Sequence, residues 1–141
     1  MKTLLALVIT LGLVGCGTPT ATTPAPVTNS PQTTVALTIK TVADADLAGV
    51  KTVIALRDAG KLSQANTTTI ENWLGVVATT DKQVSAILAN GQAWAQQKVQ
   101  ILALLGTVTA PAIATTIDPG AQAVIAQVMT LIAQIKTQVV P

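Results

Sequence analysis

Few side chains of this 141-residue sequence are of the types that carry out acid–base, metal-binding or nucleophilic chemistry. It contains one cysteine, no histidine, six acidic residues and eight basic ones. Histidine is the side chain that exchanges protons most readily near neutral pH, so its absence excludes a Ser-His-Asp or Cys-His arrangement. The carboxyl groups and the single thiol remain as candidates for acid–base, metal-binding or nucleophilic chemistry.

The carboxyl groups are dispersed along the chain. Asp44 and Asp46 lie two residues apart, which places them on different sides of a helix. Asp58 and Asp81 each adjoin a basic residue, a pattern typical of solvated helix faces. A metal site needs converging ligands. The sequence therefore predicts no metal, no cofactor and no enzymatic activity.

The thiol of Cys16 stands in a distinctive sequence context. Lys2 precedes an uncharged apolar run, and Leu13, Val14 and Gly15 come directly before the cysteine. A charged start, an apolar stretch and a small residue are the parts of a secretory signal peptide. The apolar stretch is shorter than the roughly 20 residues of a membrane-spanning helix.

These four residues, ending at Cys16, resemble the lipobox of bacterial lipoproteins. The resemblance covers residues 2–16 and implies that residues 1–15 are a signal peptide that is removed. It implies that Cys16 then carries a thioether-linked diacylglycerol and often an amide-linked acyl chain such as palmitate. The implied location is the bacterial cell envelope, with the lipid as anchor in the membrane. Enterobacterial lipoproteins that are retained in the inner membrane carry aspartate directly after the acylated cysteine. This chain has Gly17 at that position, so the resemblance implies the outer membrane in a Gram-negative cell.

The segment that follows predicts a flexible tether over residues 16–36. More than half of residues 17–36 are threonine or proline, which disfavour helix interiors. No apolar periodicity is present, so the segment cannot bury enough surface to fold by itself. We interpret it as a spacer between the lipid and a domain formed by residues 37–141.

The domain is predicted to be all-α, a small antiparallel bundle of about four helices. From Ile39 onward, apolar residues recur at steps of three and four. The predicted helices cover residues 41–59 (with a possible extension back to Val35), 63–90, 92–105 and 118–139.

The predicted helix ends rest on capping residues. Thr41 with Asp44 is a candidate start for the first helix, and Gly60 a candidate end. Ser63 preceded by Leu62 is a candidate start for the second helix, in competition with Thr68 and Glu71, and Asn90 with Gly91 is its end. Asp118 followed by Pro119 marks the start of the fourth helix.

Two apolar faces are predicted for the later helices. The third helix presents one side made of Ala95, Val99, Leu102 and Leu105, widened by Trp94, Ile101 and Leu104. The fourth presents Ala121, Val124, Ile125, Val128, Met129, Ile132, Ile135 and Val139. Trp73 and Trp94 lie on or beside apolar stripes, which favours core packing over membrane-interface anchoring.

Charge and composition narrow the classes of function. The charge is nearly balanced and forms no basic patch, which disfavours nucleic-acid binding. Only 10% of residues are charged, and such a surface favours a protein partner, self-association or membrane contact. We expect a lipid-anchored envelope protein with a non-enzymatic structural or interaction domain. The alternative is a membrane-active lipoprotein, such as a phage lysis or bacteriocin-like factor, that uses the apolar region 99–140.

Overall fold

The structure is a computed structural model that describes residues 29–113 and 117–140. Four α-helices and no β-strand are found in these residues, which confirms the predicted all-α bundle. In chain order the helices are α1 (Pro31–Asp58), α2 (Gln64–Ala89), α3 (Trp94–Thr107) and α4 (Pro119–Val139). The predicted signal peptide, Cys16 and most of the predicted tether lie outside the described residues.

The helices are arranged around a shared core. Both α1 and α3 pack against α2 and against α4. Near the start of α1, the Thr38 hydroxyl donates to the Gln138 side-chain carbonyl at 3.1 Å. Near the other end of α1, Leu56 lies beside Gly120 at the start of α4. These two contacts show that α1 and α4 are antiparallel.

Helix α1 begins at Pro31, well before the predicted start at residue 41. The Ser30 hydroxyl accepts a hydrogen bond from the Thr33 backbone N–H at 3.2 Å, and proline at the first helical position suits a helix start. Residues 31–36 of the predicted tether are therefore helical, and Val35 is fully buried. Thr41 is not a cap, because its hydroxyl donates to the backbone carbonyl four residues earlier, inside the helix.

The predicted end of α1, both ends of α2 and the start of α4 are confirmed, whereas α3 begins and ends two residues later than the predicted 92–105. Gly60 and Gly91 have positive φ angles of 69° and 72° and follow α1 and α2. The Ser63 hydroxyl accepts from a backbone N–H of the first turn of α2, and Leu62 is buried beside it. The competing later start of α2 is not used. At the start of α4, an Asp118 carboxyl oxygen accepts from a backbone N–H at 2.7 Å.

The buried face of α3 differs from the predicted one. Gln97, Ile101 and Leu105 are its buried residues, whereas Ala95 is exposed and Val99 is 68% exposed. The predicted face of α4 is correct, since its buried residues all belong to the predicted stripe. Ile101 and Leu105 belong to the predicted face, and its members Trp94, Leu102 and Leu104 are half-buried against the core. The prediction is wrong at Ala95 and Val99, and it leaves out Gln97.

The side-chain amide of Gln97 accounts for the burial of this residue. Its nitrogen donates to the backbone carbonyl of Ile87 at 2.9 Å and to the side chain of Asn90 at 3.2 Å. Both acceptors lie at the C-terminal end of α2, where helix carbonyls lack partners within the helix. The start of α3 is thus fixed by a polar contact with the preceding helix as well as by apolar burial.

The buried core of the described residues is almost wholly aliphatic, with Trp73 as its one aromatic side chain. Its indole N–H donates to the backbone carbonyl of Thr109 at 2.8 Å. This bond attaches the segment that follows α3 to α2, and core packing of Trp73 is confirmed. Trp94 is half-buried against the core.

Helix α1 approaches both α4 and α2 closely at Gly49. A Cβ atom at this position would lie 2.8 Å from Cγ1 of Val124 on α4 and 3.6 Å from Cδ1 of Leu74 on α2. The first distance is too short for an ordinary contact, and the branched valine side chain has little rotamer freedom to move away. Gly49 is therefore required by packing against α4.

We expect Gly49→Ala to lower the free energy of unfolding by about 1 kcal/mol. Overpacking costs about 1–3 kcal/mol and exceeds the gain in helix propensity of up to about 1 kcal/mol. Gly75→Ala on α2 is the matched control, because a Cβ there meets nothing within 4 Å. It is expected to stabilise the protein by about 0.5–1 kcal/mol. Urea denaturation followed by circular dichroism measures both, and equal stabilisation by the two variants would contradict the close approach.

Candidate functional site

Helices α1 and α2 present core stripes with the alternating steps of four and three that characterise heptad packing. On α1 the stripe consists of the buried residues Val35, Ile39, Val42, Gly49 and Val53 together with Asp46, which is half-buried. On α2 it consists of Thr67, Ile70, Leu74, Val77, Asp81 and Val84. Each stripe contains one aspartate at a position that such packing normally gives to an apolar residue.

The two aspartates line the same groove between α1 and α2, which has a volume of about 490 Å³. The remaining lining residues are Ala36, Ile39, Ala43 and Ala78, which are apolar, and Lys40, Lys82 and Ser85, which are polar. Three of the four apolar residues are alanines, whose small side chains leave the space open. Helices α3 and α4 contribute no residue to this lining.

Asp81 is the more buried of the two carboxyl groups, with only 5% of the residue exposed. Its Oδ2 atom is shielded from solvent and has no hydrogen-bond partner among the described residues, and the same holds for Oδ1 of Asp46. A charged group that is buried without a partner is costly. The free energy of folding therefore opposes ionisation of this pair.

Burial and, to a smaller extent, the neighbouring charge of Asp46 together raise the pKa of Asp81 to about 7. Burial also raises the pKa of Asp46 above its ordinary value. Loss of solvation is the main cause for both groups, because it disfavours the charged form. Asp81 therefore exchanges its proton close to neutral pH.

The lysines at the rim of the groove do not neutralise the pair. The Lys40 ammonium lies 3.1 Å from Oδ2 of Asp44, and both side chains are largely exposed. Lys82 is exposed on α2. Within residues 29–113 and 117–140, neither lysine forms an ion pair with Asp46 or Asp81. The two carboxyl groups are thus left without a cation.

This site corrects one prediction and confirms another. Asp81 was expected on a solvated face and is buried instead. Asp44 and Asp46 were expected on different sides of a helix, and Asp44 is exposed while Asp46 lines the groove. A sequence signal for Asp81 existed, because it stands four residues after Val77 and three before Val84 in the apolar stripe. The lysine beside it suggested a solvated face.

The chemistry of the groove is that of a proton or cation acceptor. Two carboxyl groups are fewer ligands than calcium or zinc sites in proteins require. Among the residues that the structure describes, no group of three or more potential metal ligands occurs. The lining holds neither a thiol nor an imidazole, so the carboxyl pair has no nucleophile of those kinds beside it.

The sequence-predicted site lies outside the described residues. Leu13, Val14, Gly15 and Cys16 belong to that part of the chain, so acylation remains a prediction. No helix in the described ranges is both long enough and apolar enough to cross a bilayer. Comparison of the chain with protein-family models, curated proteins and solved structures finds no match.

The carboxyl pair predicts that stability falls as the pH rises. The pKa of Asp81 is about 7 in the folded chain and about 3.9 when unfolded. Between about pH 4 and pH 7 the folded state therefore holds the extra proton, and its stability decreases with increasing pH. Asp81→Asn is expected to be more stable than the wild type at about pH 8 by about 1–3 kcal/mol, because it removes an unpartnered buried charge.

Urea denaturation at several pH values measures this difference. At about pH 4, where Asp81 is neutral, the Asn variant and the wild type are expected to have similar stability. The control Asp58→Asn removes an exposed charge paired with Arg57 and is expected to change stability little at either pH. If Asp81→Asn and the wild type showed the same dependence of unfolding free energy on pH, ionisation of Asp81 would not destabilise the folded chain.

Proposed function

We propose that this chain is a lipid-anchored protein of the bacterial cell envelope whose helical domain has a non-enzymatic structural or interaction role. One observation carries the proposal, namely the order of Lys2, the apolar run, and the residues Leu13 to Cys16. This order resembles the lipobox of bacterial lipoproteins. Acylation at Cys16 is the single modification that it requires.

The start of α1 supports a short tether. Because α1 begins at Pro31, fourteen residues, 17–30, separate the cysteine from the first helix. A chain of that length reaches at most about 50 Å when fully extended. A diacylglycerol already supplies two acyl chains, which is enough for durable anchoring. The proposed tether therefore keeps the helical domain close to the lipid surface.

The surface of the domain supports an interaction role. Leu37 and Leu47 on α1 are 54% and 59% exposed, and Val99 on α3 is 68% exposed. Large apolar side chains on a surface with few charges favour contact with another protein or a second copy. The non-enzymatic part of the proposal rests on the absence of histidine and on the use of the one cysteine for acylation.

We expect Cys16→Ala to abolish acylation and outer-membrane localisation. The test expresses the chain in an enterobacterial host with labelled palmitate and then separates soluble, inner-membrane and outer-membrane fractions. The wild type is expected to be labelled and to fractionate with the outer membrane. The alanine variant is expected to keep its leader and to carry no label, because the thiol that accepts the glyceride is missing.

Gly17→Asp is the matched control for this experiment. It leaves Cys16 in place, so it is expected to be labelled like the wild type but to shift toward the inner membrane. Mass spectrometry of wild-type protein that found an intact leader, or an unmodified thiol at Cys16, would refute the proposal. Crosslinking in intact envelopes then distinguishes a second copy from a different protein as the partner.

A further inference from the structure

We propose that the groove between α1 and α2 binds a small alkylammonium ion. The ammonium group lies between the carboxyl groups of Asp46 and Asp81, and the alkyl chain lies along the alanine-rich wall. This inference goes beyond the proposed function and does not depend on acylation, since it concerns only the described helices.

Charge complementarity identifies the head of the ligand. Asp46 and Asp81 each present a buried carboxyl oxygen without a hydrogen-bond partner, whereas an ammonium group carries three N–H donors and no acceptor. Hydrogen bonds between charged donors and carboxylates are shorter and stronger than neutral ones. Both oxygens are shielded from solvent, so a cation in the groove would satisfy them once the two carboxyl groups turn toward it.

The balance of charge around the groove favours a single cation. Lys40 and Asp44 neutralise each other in a surface pair. Lys82 then leaves one net negative charge when Asp46 and Asp81 are both ionised. One ammonium group cancels that charge. A second ammonium group at the far end of the ligand would approach the rim lysines and be repelled.

The remaining lining identifies the tail of the ligand. Ala36, Ile39, Ala43 and Ala78 supply an apolar wall, and methylene groups that lie against it are removed from water, which favours binding. The volume of about 490 Å³ falls in the range of small-molecule sites. A hydrated metal ion would gain nothing from the apolar wall, which is why an organic cation fits better.

Binding of the cation is coupled to loss of a proton. The charged groups that line the groove are Lys40 and Asp46 from α1 and Asp81 and Lys82 from α2. Helix α3 also packs on α2, and its one charged residue, Lys98, does not line the groove. Because the pKa of Asp81 is about 7, the ligand competes with a proton below neutral pH and binds an ionised pair above it.

The test is calorimetric titration of the full chain in neutral detergent with n-butylamine. At about pH 8 the wild type is expected to bind at least about tenfold more tightly than Asp81→Asn, since that variant loses a charge-assisted partner. Lowering the pH to about 5.5 is expected to weaken binding by about thirtyfold, following the ionised fraction of a group whose pKa is about 7. The amine itself stays protonated throughout, like a lysine side chain.

Matched variants and ligands separate the proposed contacts. Asp46→Asn is expected to weaken binding like Asp81→Asn, and Asp58→Asn, which removes an exposed charge far from the groove, is expected to bind like the wild type. 1-Butanol has the same tail without the charge and is expected not to bind, and 1,4-diaminobutane is expected to bind more weakly than n-butylamine. Circular dichroism verifies that each variant is folded.

Several results would overturn the proposal. Equal affinity of Asp81→Asn and the wild type would show that the carboxyl pair is not the binding point. Equal affinity for 1-butanol would show that the groove takes up any alkyl chain. An affinity independent of pH would show that binding does not require ionised Asp81. The absence of any n-butylamine binding at millimolar concentration would show that the groove is not a binding site for alkylammonium ions.

Discussion

The arrangement of the bundle depends on α1 packing closely against two helices at once. At Gly49 the backbone of α1 comes so near Val124 that no side chain fits between them. The sequence has one cysteine, which excludes an internal disulfide, and two tryptophans as its only aromatic residues. Stability must therefore come from close contacts among small aliphatic side chains, and such contacts are sensitive to the distance between helices.

The same close packing explains why the carboxyl pair is costly. Asp46 and Asp81 occupy heptad positions, so the contact of α1 with α2 shields Asp81 and one carboxyl oxygen of the half-buried Asp46 from solvent whether or not a partner is present. Polar residues at such positions are known to fix the register of paired helices at some cost in stability. A role in register and a role in cation binding are compatible, because both require the two side chains to meet at one level of the α1–α2 contact.

Local signals in the sequence predicted the parts of the fold that depend on local interactions. The start of α4 follows from Asp118 and Pro119, whose capping geometry involves only neighbouring residues. The start of α1 was missed although Ser30 and Pro31 form the same kind of signal, because the threonine and proline content around them suggested an unfolded tether. The burial of Gln97 on α3 was missed for a different reason, since Gln97 finds its partners on α2. No periodicity within α3 carries that information.

The candidate site shows where sequence reasoning stops. The stripe of α2 passes through residue 81 between Val77 and Val84, so burial of Asp81 was predictable from α2 alone. Its proximity to Asp46 was not, because that depends on the register of α1 against α2. The groove begins at Ala36, about 8 Å along the helix axis from Pro31. Under the proposed acylation the tether joins the bundle at this same end, so the anchor that recruits the domain to a lipid surface also holds the carboxyl pair within reach of that surface.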